Sequence, residues 1–343
     1  MKKMKKAFVF LRVLFVAVLA VLPLSGQCRV IYGDVNHDGS IDINDVTLLI
    51  DYVLTGDDSK VDVVACNITH MYDVYVNITD ITKLIDMVLT GDYYCPPAEL
   101  TIPEGSVTYT VNGVSFQMVP VEGGTFMMGD SAQRETRPVH EVTLSNYWIG
   151  LTEVTVGLWR AVMGSTPYAL PDDDQPLYNV SHYECEEFVS RLSEMTGQNF
   201  SLPTEAQWEF AARGGNLSHG YLFSGSDDID EVAWYGDNCP GGLPQYLYPV
   251  GCKKPNELGL YDMTGSVEEH CRDNWYGYIS YRPEPIDPLY VSSVGSDLYV
   301  VRGGDWFRVK EHCTVYYRSF MEGWRTVSGL RLAICTAEPT PIY

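Results

Sequence analysis

The chain has 343 residues, 45% of them hydrophobic and 12% aromatic, and a formal net charge of −22. Such an acidic balance argues against nucleic acid, whose phosphates would repel it. It fits instead a solvated surface outside the cytoplasm with bound cations.

Met1-Lys-Lys-Met-Lys-Lys precedes an apolar run from Ala7 to Leu24 broken only by Arg12. A basic start, a short apolar core and small residues at Ser25 and Gly26 read as a secretory signal peptide over residues 1–26. The alternative is a membrane anchor; the run is near the ~18-residue length of a span, but its charge counts against one. No later stretch is long or apolar enough to span a bilayer, so none is expected after cleavage. The expected location is exported: extracellular, periplasmic or cell-surface. Cys28 offers a lipidation site, although Gln27 stands where such sites want a small residue. Nine cysteines in an exported chain favour some disulfides, and an odd count leaves at least one unpaired. Cys66 with Cys95 and Cys239 with Cys252 are the local pairs considered.

Residues 30–95 contain a duplication. Ile41-Asp-Ile-Asn-Asp-Val-Thr-Leu-Leu-Ile-Asp-Tyr-Val-Leu-Thr-Gly-Asp57 recurs as Val76-Asn-Ile-Thr-Asp-Ile-Thr-Lys-Leu-Ile-Asp-Met-Val-Leu-Thr-Gly-Asp92. Each copy predicts a helix; in the first, Val46, Leu49, Ile50, Val53 and Leu54 share one face and Gly56 ends it. Ahead of that helix, Asp34, Asn36, Asp38, Ser40, Asp42 and Asp45 occupy loop places 1, 3, 5, 7, 9 and 12, with Gly39 at the turn. Oxygen ligands at this spacing suit a hard, many-coordinate Ca²⁺. Loop and helix resemble the dockerin family, which implies an all-α module, calcium as cofactor and a cohesin-like receptor as partner. In the second copy Thr69, Met71 and Val74 stand where two ligands and the glycine belong, and only Asp73, Asn77 and Asp80 keep the pattern. That loop is expected to bind metal weakly or not at all. Residues 96–106, opening with Pro96-Pro97, read as a semi-rigid linker.

From 107 to 337 the pattern is short strands, two or three helices and long glycine-rich connections. Strands are expected over Phe116–Val121, His140–Leu144 and Tyr299–Arg302. Ser181 and Glu184 form a capping-box start followed by apolar Cys185, Phe188, Val189 and Leu192, with Gly197 at the end. Thr204-Glu-Ala-Gln207 opens a second helix, closing at Gly214.

Val121-Glu-Gly-Gly-Thr-Phe-Met-Met-Gly129, Glu153-Val-Thr155, Leu202-Pro-Thr-Glu-Ala-Gln-Trp-Glu-Phe-Ala-Ala-Arg-Gly-Gly215, Asn256-Glu-Leu-Gly-Leu-Tyr-Asp-Met-Thr-Gly265, Arg302-Gly-Gly304 and Gly329-Leu-Arg-Leu332 follow in order. Together they resemble the formylglycine-generating enzyme family, also called sulfatase-modifying factors. The resemblance implies an α+β, C-type-lectin-like fold with little regular structure. It also implies a calcium site with side-chain ligands Asp262 and Glu269 and backbone carbonyls of Gly265 and Val267. Here Ser266 replaces an expected Asn, and Glu268 and His270 replace tryptophans. Family enzymes hold Cu(I) between two cysteines five residues apart and use it with O₂ to oxidise a substrate cysteine to formylglycine. Cu(I) is soft and wants thiolates. In this chain the second is Cys313, the one candidate for a catalytic group, and the first position holds Arg308, a permanent cation that repels copper. Asp305 replaces a serine. Copper is therefore not expected.

Rescue of the missing thiol by His312, Cys271 or Cys335 is the remaining catalytic option. No His-x₃-His-x-Glu spacing occurs among the seven histidines, and no Gly-x-Ser-x-Gly, Walker or His-Glu-x-x-His motif is present. Trp306, Phe307, Tyr316, Tyr317, Phe320 and Trp324 crowd the C-terminal part, where exposed aromatics would suit sugar rings or peptide backbones. Three readings follow: a non-catalytic binding or scaffold protein with an unknown protein or glycan ligand; a metal-dependent oxidase converting a cysteine to formylglycine or modifying another thiol; or a dockerin-bearing component of a polysaccharide-degrading assembly. The substituted first cysteine favours the first.

Overall fold

The computed structural model describes residues 35–36, 42–56, 59–61, 81, 85, 100–131, 133–167, 172–239, 247–275, 286–292, 295–322 and 327–342. The signal peptide, Cys28, Cys66, Cys95, the second loop and Trp324 lie outside them. Among the described residues no helix is long and apolar enough to cross a membrane.

In the N-terminal part, α1 (Ile43–Thr55) starts on an Asp42–Asp45 capping box and ends on Gly56, which takes the left-handed backbone at φ 71 that favours glycine. Val46 and Leu49 are buried as the periodicity predicts. Ile50 and Leu54 are not: they are 37% and 79% exposed. The buried stripe is narrower than the apolar one: Asp45, Val46 and Leu49 are the buried residues of the helix.

The large domain opens with a hairpin set by two residues. Asn112 and Gly113 both have positive φ, 47 and 86, the two-residue turn that suits the right-handed twist of strands. It joins β1 (Val107–Val111) to β2 (Val114–Val121), pairing Val111 with Val114 and Tyr109 with Phe116. A second hairpin follows, β3 (Thr125–Met128) on β4 (His140–Thr143). Next, β5 (Tyr147–Gly150) pairs antiparallel with β2.

Three helices then cover the sheet, each with a side-chain cap. Thr155 caps α2 (Val156–Met163), Ser181 with Glu184 caps α3 (His182–Thr196), and Thr204 with Gln207 caps α4 (Glu205–Ala212). The second and third are the capping boxes expected from sequence, although α4 closes on Arg213 one residue before Gly214. Trp159 of α2 stacks on Phe188 of α3 at 4.9 Å, and Cys185, Val189 and Leu192 join the same core. A short helix, α5 (Ile229–Val232), precedes the remaining strands.

A three-stranded antiparallel sheet places β8 (Leu298–Arg302) between β6 (Glu269–Asn274) and β9 (Arg318–Glu322). Its neighbour β7 (Pro288–Tyr290) pairs in parallel with the terminal β11 (Thr340–Ile342). Finally β10 (Ala333–Cys335) completes the first sheet beside β5. All eight residues of α4 are buried between the sheets. Its two carboxylates cannot reach water, so they are paired: Glu205 accepts from Arg318 at 2.5 and 2.7 Å, and Glu209 binds Arg302 and Arg213. A domain centre built this way holds helix and strands together through charge as well as apolar contact.

Cys185, Cys239, Cys271, Cys313 and Cys335 are free thiols. The considered Cys239–Cys252 pairing is therefore corrected; Cys239 packs, buried, in the apolar core instead.

Candidate functional site around Cys313

The loop after β8 is built for close approach. Gly303 and Gly304 both adopt positive φ, 98 and 72. A Cβ on Gly304 would lie 2.6 Å from Cys313 Sγ and 2.6 Å from the His312 carbonyl oxygen. Only glycine lets the loop pass over the thiol. Backbone bonds stitch it to the preceding turn: Gly265 N–H donates to the Gly303 carbonyl and Trp306 N–H to the Ser266 carbonyl, both at 2.9 Å. A short 3₁₀ turn, Lys310–His312, then returns the chain, with Cys313 N–H on the Lys310 carbonyl.

Cys313 is fully buried and its Sγ faces the Val309 carbonyl at 3.7 Å. Burial, then the charges of Asp305 and Glu268, push its pKa well above the thiol range. It is a poor thiolate at neutral pH. Arg308 lies beside it, with Nη2 3.6 Å from Glu268 Oε1 and Nε 3.6 Å from Asp305 Oδ2. Burial raises Glu268 to about 7, with Asp305 adding to the shift and Arg308 opposing it. Burial also raises Asp305. His312 stacks on Tyr317 at 4.5 Å, and burial and Arg308 lower its pKa.

Neither rescuing cysteine faces this place. Cys271 packs in the second core, where the charges acting on it are Glu205, Asp273, Arg302 and Glu269. Cys335 sits at the far end of β10, with Gln207 Nε2 at 3.4 Å. The donor set therefore does not fit Cu(I): one protonated thiol, two hard carboxylates and a guanidinium.

Residues 107–334 match the sulfatase-modifying factor enzyme 1-like domain. The chain belongs to this family. Chaperone protein LppX of Paenibacillus barcinonensis is 34% identical over 212 residues, covering 48% of this chain and 74% of LppX. The formylglycine-generating enzyme of Streptomyces coelicolor is 27% identical, covering 58% of this chain and 81% of that enzyme. The mouse protein named inactive C-alpha-formylglycine-generating enzyme 2 is also 27% identical, covering 54% of each chain. Among solved structures, Treponema denticola variable protein 1 aligns with a TM-score of 0.58 and 30% identity, over 68% of this chain and 99% of that one. PvdO from Pseudomonas aeruginosa shares the fold, with a TM-score of 0.56 and 22% identity.

A sulfatase-modifying factor would carry calcium at Asp262, Gly265, Val267 and Glu269. All four residues are buried here, in the turn leading into β6. Asp262 accepts from Gly251 N–H at 2.6 Å. Glu269 is held by Arg331, at 2.7 to 3.0 Å, and by Trp208 Nε1 at 2.6 Å. Sequence reasoning missed Glu153, quoted only as part of a motif. Its Oε1 accepts from Val267 N–H at 3.3 Å and its buried Oε2 has no partner. Burial, then Asp262 and Glu269, raise the Glu153 pKa; Asp262 is raised too, by burial first. Three carboxylates against one guanidinium leave a buried excess of negative charge, which fits a hard cation. No three His, Cys, Asp or Glu side chains among the described residues form a ready metal cage. Asp262 and Glu153 with the Gly265 and Val267 carbonyls would hold such an ion, Arg331 keeping Glu269 in place, and water would complete the shell.

In the N-terminal loop, Asp34, Asp38 and Ser40 lie outside the described residues. Asp45 is fully buried; its Oδ1 accepts from Val35 and Asn36 N–H and its Oδ2 from Asp42 N–H. Asp45 thus ties both ends of the loop to the helix. Asp42 spends one oxygen on the Asn44 N–H as N-cap.

Of the C-terminal aromatics, Trp306 is core, set edge-on to Tyr178 at 5.3 Å. Tyr316 and Tyr317 are half-buried. Phe307 and Phe320 are 48% and 45% exposed.

Proposed function

We propose that this protein is an exported, non-catalytic binding or scaffold member of the sulfatase-modifying factor family. The observation that carries the reading is Arg308, which stands in the first copper-cysteine position and lies between Glu268 and Asp305 above a buried, protonated Cys313. A cation cannot ligate copper, and its charge opposes the ion's approach. A mouse relative bears a name that calls it inactive, so loss of oxidation among relatives of this chain has company. Exposed Phe307 and Phe320 supply apolar contact for a protein or glycan ligand.

The N-terminal module is proposed to bind Ca²⁺ through Asp34, Asn36, Asp38, Ser40, Asp42 and Asp45 and to tether the protein through a cohesin-like receptor. A second Ca²⁺ is proposed in the domain, at Asp262 and Glu153. Cu(I) titration against a chromogenic chelator tests the central reading. The wild-type protein should leave the chelator's copper complex intact, as should Cys313→Ser. Copper withdrawal by wild type that disappears in Cys313→Ser would restore the oxidase reading.

A further inference from the structure

Buried polar atoms without a hydrogen bond gather beside Cys313. Glu268 Oε1 and Oε2, Arg308 Nε and Thr314 Oγ1 are all unpartnered, and Glu268, Asp305 and Thr314 are no more than 3% exposed. Folded proteins satisfy nearly all such groups, and exceptions cluster where water, an ion or a ligand belongs. Arg308 does not fill the need. Its nitrogens stand 3.6 Å from each carboxylate, inside Coulomb range but beyond the ~3.2 Å reach of a hydrogen bond. Asp305 accepts from Phe307 N–H at 2.8 Å and from the backbone N–H of Arg308. Both oxygens of Glu268 have no donor.

The deficit has a definite sign. Two carboxylates face one guanidinium, so the cluster is rich in acceptors and short of donors. An anion or a neutral acceptor would deepen the imbalance. A divalent metal would meet only two carboxylates with a guanidinium at their side. A lysine ammonium or a second guanidinium brings one positive charge and several donors in a single group. Access is through Arg308, whose side chain is 35% exposed, between Phe307 and Val309, 48% and 50% exposed. These two apolar side chains can cover the methylene stem of a basic residue.

We propose that Glu268 and Asp305 form a subsite for a basic side chain of a partner polypeptide, admitted when Arg308 swings outward. This rests on the binding-protein reading and names the chemistry of its ligand. Arg308 is then a resident competitor: it keeps the carboxylates partly neutralised while the subsite is empty.

The test is calorimetric titration of the full mature chain, without copper and under nitrogen, with Nα-acetyl-lysine amide and its neutral counterpart Nα-acetyl-norleucine amide. The lysine probe should bind and the norleucine probe should not. Glu268→Gln should weaken lysine binding at least tenfold, and Arg308→Met should strengthen it several-fold by removing the competing charge. Arg308→Met changes a part-exposed side chain, so it reports even where Glu268→Gln fails to fold. No lysine-probe binding by wild type or Arg308→Met, or weaker binding by Arg308→Met, would overturn the proposal and leave water as the occupant. Binding is read without copper or oxygen, so its failure is separate from any finding of oxidation.

Discussion

At the scale of single residues, Gly304 decides whether the loop after β8 can pass over Cys313. An added methyl would meet Cys313 Sγ and the His312 carbonyl at 2.6 Å, and φ 72 is unfavourable for any side chain. Gly304→Ala should cost about 2–4 kcal/mol in a denaturant titration, as overpacking and backbone strain add; an unchanged midpoint would refute the close approach. Buried titratable groups predict a pH profile. Burial raises Asp273, with Glu205 adding to the shift, and raises Glu268; both reach about 7. Above their unfolded values near 4 the folded state holds the extra protons, so stability should rise as pH falls from 8 toward 6. His270 works the other way: burial, then His182, lowers it to about 3, so the unfolded chain takes up the proton below about 6.5 and stability is lost there. The melting temperature should therefore climb between pH 8 and 6 and climb more slowly below about 6.5, where His270 opposes the two acids. A steady decline from pH 8 downward would contradict these burials. Arg308 and Asp305 were readable in sequence because they break a motif. Glu153 was not, since its partner Val267 is 114 positions away.

At the scale of elements, α4 is the piece on which the domain is assembled. It carries two buried carboxylates, and Glu205 meets Arg318 across 113 positions of sequence. Removing one partner leaves the other charged and unpaired, so Arg318→Met should destabilise by about 3–5 kcal/mol. A loss under 1 kcal/mol would show that the pair is not part of the folded core. Thr204→Ala should cost about 1 kcal/mol through the lost N-cap. The capping boxes of α3 and α4 were legible because they are local: a hydroxyl and an acid or amide three residues apart. The strand at Tyr147–Gly150 and the helix at Val156–Met163 were not singled out. Each is short, and each is fixed by what it packs on, β2 and β10 for the strand and Phe188 for the helix. The same limit explains Ile50 and Leu54. Periodicity marks an apolar face, and only the surrounding chain decides how much of it is covered.

At the scale of the whole molecule, a strongly acidic chain combines an N-terminal loop-and-helix segment with a family domain that holds its own buried carboxylates. The two calcium proposals are separable. Asp38→Ala should lower Ca²⁺ stoichiometry by one without changing the melting of the large domain. A chelator should lower that melting in wild type and do so far less in Glu153→Gln. Unchanged stoichiometry in the first variant would sink the loop assignment, and equal chelator shifts in the second would sink the site at Asp262. The family itself was legible in the ordered motifs from Val121 to Leu332. The pairing of those motifs in space, Glu269 with Arg331 above all, required the structure.

The central claim is that oxidation has been lost. The direct measurement is mass spectrometry of a peptide carrying Cys-x-Pro-x-Arg, incubated with the purified protein, Cu(I) and O₂ beside an active family enzyme. The account predicts full conversion by the control and none by this protein. Conversion of the peptide thiol to an aldehyde by this protein, abolished in Cys313→Ser, would contradict it.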